Sequence, residues 1–171
     1  GYRRIHHIGD LHGCYTVLRE YLDGQGGMKE DEFYIFLGDY IDRGMENAEV
    51  VRFLSSIAER KNVLLLEGNH EISLWDWADG GEGRSKEFRL HTRRALERAG
   101  IDPKEMRCLY RKFGQCAYYR YGDRDFLVTH GGLSILPENL TLVATEQMMN
   151  GTGEYADADR TAETFEKTAP A

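Results

Sequence analysis

Three short apolar runs, each followed at close range by glycine and a polar residue, constrain this chain more than any other feature. Residues 5–8 lead into Gly9-Asp10, residues 33–37 into Gly38-Asp39, and residues 63–66, after Glu67, into Gly68-Asn69. Asp10 and Asp39 lie 29 residues apart, and Asp39 and Asn69 lie 30 apart, close to the ~30 residues of a βαβ unit. Between the first two runs, Val17, Leu18, Tyr21 and Leu22 form the apolar face of a helix that Gly24, Gly26 and Gly27 end. Between the second and third, Val50, Val51, Phe53, Leu54 and Ile57 form another such face, with Asn47 read as the N-cap. Uninterrupted apolar strands alternating with helices predict a mostly parallel sheet covered on both faces. Open sheets of this kind bind ligands at the carboxyl ends of their strands.

Beyond His70 the pattern changes. Residues 86–99 read as a helix with Phe88, Ala95, Leu96 and Ala99 inward and Gly100 at its end. Asp102-Pro103 starts another, running to about residue 112. Residues 115–121 and 125–129 flank Gly122-Asp123-Arg124 as a hairpin that delivers Thr129-His130-Gly131-Gly132. The chain therefore reads as a single domain, 1–171, with 84–112 a basic helical insertion and 151–171 a polar tail. That insertion holds ten basic and four acidic residues in a chain whose net charge is −7. It reads either as a solvated helix pair or as an anion-attracting face.

An apolar content of 41% excludes a disordered chain. No apolar run approaches the ~18–20 residues of a membrane span, and the first residues hold no signal peptide. Three cysteines at irregular spacing, Cys14, Cys108 and Cys116, argue against a disulfide scaffold and for a cytoplasmic setting.

Four motifs carry the chemistry: Gly9-Asp10-Leu11-His12-Gly13, Gly38-Asp39-Tyr40-Ile41-Asp42-Arg43-Gly44, Gly68-Asn69-His70-Glu71 and His130-Gly131-Gly132. Each alone is an ordinary turn or cap. Jointly they bring carboxylates, an amide and several imidazoles to one sheet edge. Oxygen and nitrogen donors without sulfur suit Mn²⁺, Fe²⁺ or Zn²⁺. Asp39, on the middle strand, is placed to bridge two ions, with Asp10 and His12 on one and Asn69 and His130 on the other. Two ions ~3.5–4 Å apart clamp a phosphoryl group and generate hydroxide near neutral pH.

Together the four motifs resemble those of the calcineurin-like metallophosphoesterases, in the phosphoprotein phosphatase branch that includes bacterial and phage serine/threonine phosphatases. All four occur in order, across residues 5 to about 135. The resemblance implies an α/β fold of the metallophosphoesterase type, a β-sandwich flanked by helices (αββα), truncated here at the C-terminus. It implies a serine/threonine-phosphatase-like enzyme that hydrolyses phosphomonoesters through a hydroxide activated by two divalent ions, manganese first, iron or zinc next. It places Asp10, His12 and Asp39 on one ion and Asp39, Asn69 and His130 on the other. It makes Asp42 and His70 the catalytic pair, with Arg43 and Asn69 against the substrate phosphate. These roles make chemical sense: His70 can protonate the leaving alkoxide, Asp42 can hold its tautomer, and Arg43 can grip two phosphate oxygens.

The family pattern also has a further histidine on the second ion and a second basic phosphate ligand. The histidines here are His6, His7, His12, His70, His91 and His130. The expectation is therefore a fragment with an incomplete second metal site and weak activity. Residues 2–157 are also similar to the phosphatase module of bacterial polynucleotide kinase-phosphatases, RNA-repair proteins of several domains. That leaves three alternatives open: a nucleic-acid end phosphatase, a dinucleoside polyphosphate hydrolase, or a catalytically impaired phosphate-binding module. The expected partners are a phosphorylated substrate (phosphoprotein, nucleotide or RNA end) and other domains of a larger polypeptide, with no membrane. Elsewhere, His91 is expected at the surface, and one of His6 and His7 buried and hydrogen-bonded. One of Trp75 and Trp77 belongs in the core and the other beside the pocket; Cys14 reads as a buried small hydrophobe and Glu71 as support for the site.

Overall fold

The computed structural model describes residues 1–135, 137–151 and 158–168. Strands β1 (Arg4–Ile8), β2 (Glu32–Phe36) and β3 (Val63–Leu66) lie side by side and parallel, in the order of the sequence. Arg4 pairs with Glu32 through to Ile8 with Phe36, and Tyr34 with Val63 through to Phe36 with Leu65. Helices α1 (Tyr15–Gly24) and α2 (Asn47–Ile57) make the two crossovers. A two-residue strand β4, Phe113–Gly114, adds in parallel to β3; its length gives it no signature in the sequence.

Side chains of a strand alternate between faces, and the two faces of this sheet have different covers. Ile8, Tyr34, Phe36 and Leu65 pack on one side with Leu18 and Leu22 of α1 and Val50, Val51, Leu54 and Ile57 of α2. Helices α3 (Glu71–Ala78), α4 (Arg93–Arg98) and α5 (Pro103–Tyr110) add Leu74, Trp77, Leu96, Met106 and Leu109 to the same core. On the other side, Ile35 and Leu66 meet Ala117, Tyr119 and Val128 of an antiparallel hairpin, β5 (Ala117–Tyr121) and β6 (Arg124–Val128). The sheet is thus mixed in its surroundings, helices on one face and strands on the other, as a layered α/β sandwich requires. Past the hairpin come α6 (Thr145–Asn150) and α7 (Ala158–Thr168).

Several local expectations are corrected. Asn47 is the first residue of α2 and not its cap; Glu46 takes the cap position, because the Asn47 amide is committed to the preceding loop. Val17 is 64% exposed, so α1 buries a narrower stripe than its spacing suggested. Residues 86–99 are helical, but Phe88–Thr92 form a π-helical turn before α4. Asp102 caps α5 by accepting from Glu105 N at 2.8 Å, and the helix ends at Tyr110. The tail read as polar from 151 contains the helix α7; residues 152–157 and 169–171 of it lie outside the described residues.

Candidate metal centre and active site

The loops after β1 and β2 are laced together by backbone. Leu11 N and His12 N donate to Asp39 O at 3.0 and 2.9 Å, and Gly13 N donates to Tyr40 O at 2.9 Å. Four non-glycine residues among those described have positive φ: His12 (41°), Asp39 (51°), Asp42 (69°) and Arg43 (64°). Such conformations cost ~1–3 kcal/mol each and persist where surrounding structure over-determines them. All four belong to the two strand-tip motifs, so strain marks the same place as the sequence does.

Glu71 supplies much of that over-determination. Fully buried, it accepts from Asp39 N at 2.8 Å, Gly68 N at 2.9 Å and Tyr40 N at 2.9 Å, joining the tips of β2 and β3. Burial and then the charge of Asp39 push its carboxyl up to about 8, against the three amide bonds that favour the charged form. The approach of the two tips also explains a glycine. A Cβ on Gly68 would lie 2.3 Å from both the backbone nitrogen and Oδ1 of Asp39, so only glycine fits.

Around Asp39 the site gathers more acceptors than donors, although Asp39 Oδ1 accepts from His70 N at 3.1 Å. His12 Nδ1–H donates to Ile41 O at 3.1 Å and His130 Nδ1–H to Leu37 O at 2.8 Å, which leaves a lone pair on each Nε2. His12 Nε2 lies 3.5 Å from Asp10 Oδ2 and 3.7 Å from Asp39 Oδ2. His130 Nε2 lies 3.4 Å from Asp39 Oδ1 and 3.3 Å from Asn69 Oδ1. Nε2 of His12 and of His70 are buried with no hydrogen-bond partner. The Nε2 lone pairs of His12 and His130, crowded onto carboxylate oxygens, repel them unless a cation lies among them, so the residues fit a divalent ion.

The donor atoms fall into two sets within 4.8 Å, His12–Asp39–His70 and Asp10–Asp39–His130. Asp39 belongs to both. The sequence-derived residues Asp10, His12, Asp39, Asn69, His70 and His130 are therefore all brought together, with His70 Nε2, 4.0 Å from Asp39 Oδ2, facing the same space. Cys14 is exposed, correcting its expected burial, and its thiol points back to His12 O at 3.6 Å. His6 is buried and hydrogen-bonded, whereas His7 and His91 are exposed.

Beside this cluster His70 Nδ1 is 2.8 Å from Asp42 Oδ2. Hydrogen bonding to Asp42 raises the His70 pKa above its ordinary 6.5, burial opposes, and the charges of Asp39, Asp42 and Glu71 add to the rise. Arg43 is exposed, its guanidinium has no hydrogen-bond or ion-pair partner among the described residues, and it is available to an anion. Its backbone N–H donates to Glu87. Asn47 accepts from Asp42 N at 2.8 Å and donates to Gly44 O at 2.9 Å.

Sequence reasoning read Asn47 only as a helix cap and passed over Glu87 and Thr92, whose hydroxyl donates to Asp42 Oδ1. The signal for Thr92 was present: a polar residue on the Phe88–Leu96 stripe of a helix is out of place unless it has a partner. Trp77 is buried against Phe88, and Trp75 stacks on Tyr110 with centroids 5.0 Å apart. An apolar cavity of about 650 Å³ lies under the hairpin, between Phe33, Leu64 and Tyr119, and none of the site residues lines it. Shape alone would point to the wrong face; donor chemistry points to Asp39.

Comparison with known proteins agrees with this geometry. A serine/threonine-protein phosphatase of Caenorhabditis elegans is 47% identical over 66 residues, 37% of this chain and 14% of that protein. Among solved structures, a serine/threonine phosphatase from Saccharomyces cerevisiae with similarity to human phosphatase PP5 superposes with a TM-score of 0.60 at 18% identity, over 95% of this chain and 56% of that one. A hypothetical protein from Pyrococcus horikoshii gives a TM-score of 0.51 at 16% identity, over 74% of this chain and 54% of the other. At those identities the two structures speak for the fold. The chain spans little more than half the length of these solved relatives and a small part of the curated one. The calcineurin-like phosphoesterase model, however, matches residues 3–166, nearly the whole sequence, and on that match the chain belongs to the calcineurin-like phosphoesterase family.

Proposed function

We propose that the chain is a divalent-metal-dependent phosphoesterase that hydrolyses phosphomonoesters of the phosphoserine or phosphothreonine type. The observation that carries this reading is the shared Asp39 carboxylate, flanked by unpartnered imidazole nitrogens and adjoining the His70–Asp42 pair. Bound divalent ions, manganese foremost for such oxygen and nitrogen donors, would supply Lewis acidity at the phosphoryl group and an attacking water acidic enough to react at neutral pH. Asp10, His12, Asp39, Asn69 and His130 would hold them. Arg43 takes two phosphate oxygens with its planar guanidinium, and the Asn69 amide lies beside them. His70, oriented by the hydrogen bond of its Nδ1 to Asp42, delivers a proton to the departing alkoxide. Free Cys14, Cys108 and Cys116 suit a reducing, cytoplasmic setting. No helix among the described residues is long and apolar enough to cross a membrane.

A second reading, a phosphatase of nucleic-acid ends, is favoured by two contacts. The basic segment enters the site through Glu87 and Thr92, so Arg89, Arg93 and Arg94 lie on the helix that touches the catalytic loop. The test compares a phosphoserine peptide with a 3′-phosphorylated oligonucleotide in Mn²⁺, for the natural chain and His70→Asn. Turnover of the peptide that falls ~10²–10⁴-fold in His70→Asn supports the proposal. Preference for the oligonucleotide with a steep salt dependence favours the second reading. Manganese binding with no turnover of either defeats both, in favour of a phosphate-binding module.

A further inference from the structure

Among the described helices, Phe88–Thr92 is the π-helical turn, and it lies against the most strained part of the site. Both residues it offers to the catalytic loop are hydrogen-bonded there: Glu87, just before the turn, accepts from Arg43 N, and Thr92, its last residue, donates to Asp42 Oδ1. These positions are five residues apart. In a regular α-helix of 3.6 residues per turn they would point ~140° from each other. The i→i+5 bonding of a π-helix swings residues five apart towards one face. The widened turn is therefore what lets one helix hold Asp42 and Arg43 together, and single π-turns of this kind are frequent at functional sites.

Thr92 has no other task in view. It is fully buried, and its neighbours along the same stripe, Phe88 and Leu96, are apolar core. Asp42 in turn has every polar group engaged: Oδ1 by Thr92, Oδ2 by His70 Nδ1 and its backbone nitrogen by Asn47. Without the hydroxyl, Oδ1 would be a buried acceptor with no donor, and the carboxylate would rotate to find one. That rotation moves Oδ2 away from His70.

We propose that Thr92 is a positioning residue for proton delivery: its hydroxyl fixes the Asp42 carboxylate, which fixes the His70 imidazole towards the leaving group. The inference rests on the phosphoesterase reading, and the assay separates the two. The natural chain, Thr92→Ser and Thr92→Val are compared in Mn²⁺ on para-nitrophenyl phosphate, whose leaving group departs unaided, and on a phosphoserine peptide, whose alkoxide needs a proton. In Thr92→Val, kcat on the peptide falls ~100-fold while KM and the aryl ester rate stay within about threefold. Thr92→Ser restores the peptide rate. In the metal-free chain the proton NMR signal of His70 Nδ1–H, sharp in the natural protein and in Thr92→Ser, broadens in Thr92→Val. An equal loss on both esters, no loss, or a Nδ1–H signal unchanged in a folded Thr92→Val overturns the inference. Should the natural chain split neither ester, the phosphoesterase reading falls, and the NMR comparison alone decides the role of Thr92.

Discussion

The sheet carries a histidine–carboxylate cluster at each end, and the two are built on opposite terms. At the amino end, His6 Nε2–H donates to Glu32 Oε2 at 2.9 Å and the Tyr21 hydroxyl meets His6 Nδ1 at 2.8 Å. Glu32 also accepts from Arg3 at 2.6 Å and from the Tyr34 hydroxyl at 3.1 Å, and Tyr34 stacks on His6. Every polar atom of that cluster's His6 and Glu32 has a partner of complementary character, and none of its residues has a positive φ. At the carboxyl end the same residue types leave nitrogens unpartnered, oxygens face lone pairs, and four residues are held at positive φ. A His beside an Asp or Glu therefore says little by itself. A deficit of donors does, because a folded chain tolerates it only where something else completes the set.

The largest test of this contrast is Gly68→Ala. Its Cβ collides with Asp39, so manganese affinity measured by calorimetry should fall ~10–100-fold, as expected when the supports of a metal ligand are displaced. Circular dichroism should show the fold intact. Retained affinity would mean that Asp39 is not where the ions are shared. At the other end, His6→Leu should leave manganese affinity unchanged but cost about 2 kcal/mol of stability, because Glu32 loses one of its hydrogen bonds while keeping those from Arg3 and Tyr34. In a chain of this length that is a fall in melting temperature of roughly 4–8 °C. The smallest effect is in the pH profile. Burial raises the Glu32 pKa, but hydrogen bonds from His6 and Tyr34 and the charges of Lys29 and Arg3 bring it below its ordinary 4.5. A depressed carboxyl stabilises above the ordinary value and loses that contribution as pH falls through the lowered one. Denaturant midpoints should therefore drop below about pH 4.5, and less so in Glu32→Gln.

The strands and the site motifs were legible because both are local: short apolar runs, the first interrupted by His6-His7, fix β1 to β3, and the turns that end them hold the donors. Asp10, Asp39 and Asn69 could be placed at one edge from spacing, and His12 and His130 joined them through the four motifs read together and the family they resemble. What was not legible depends on contacts between distant segments. Asn47 looked like a helix cap because asparagine favours that position, yet its amide is held by the loop of Asp42. Thr92 sits fifty residues from its partner Asp42, and nothing in periodicity announces a π-helical turn. Cys14 and Val17 read as buried on their chemistry, but the loop that precedes α1 leaves that corner open.

The single carboxylate of Glu71, gathering three amides from two strand tips, has a bearing on supply. A cradle tied down by its own polypeptide keeps its outline when stripped by a chelator, unlike a zinc finger, which collapses. Recharging then asks only that an ion diffuse in. Occupancy would follow whichever borderline ion the surroundings make abundant, so that the metal economy of the host, more than the cradle, would set the working rate.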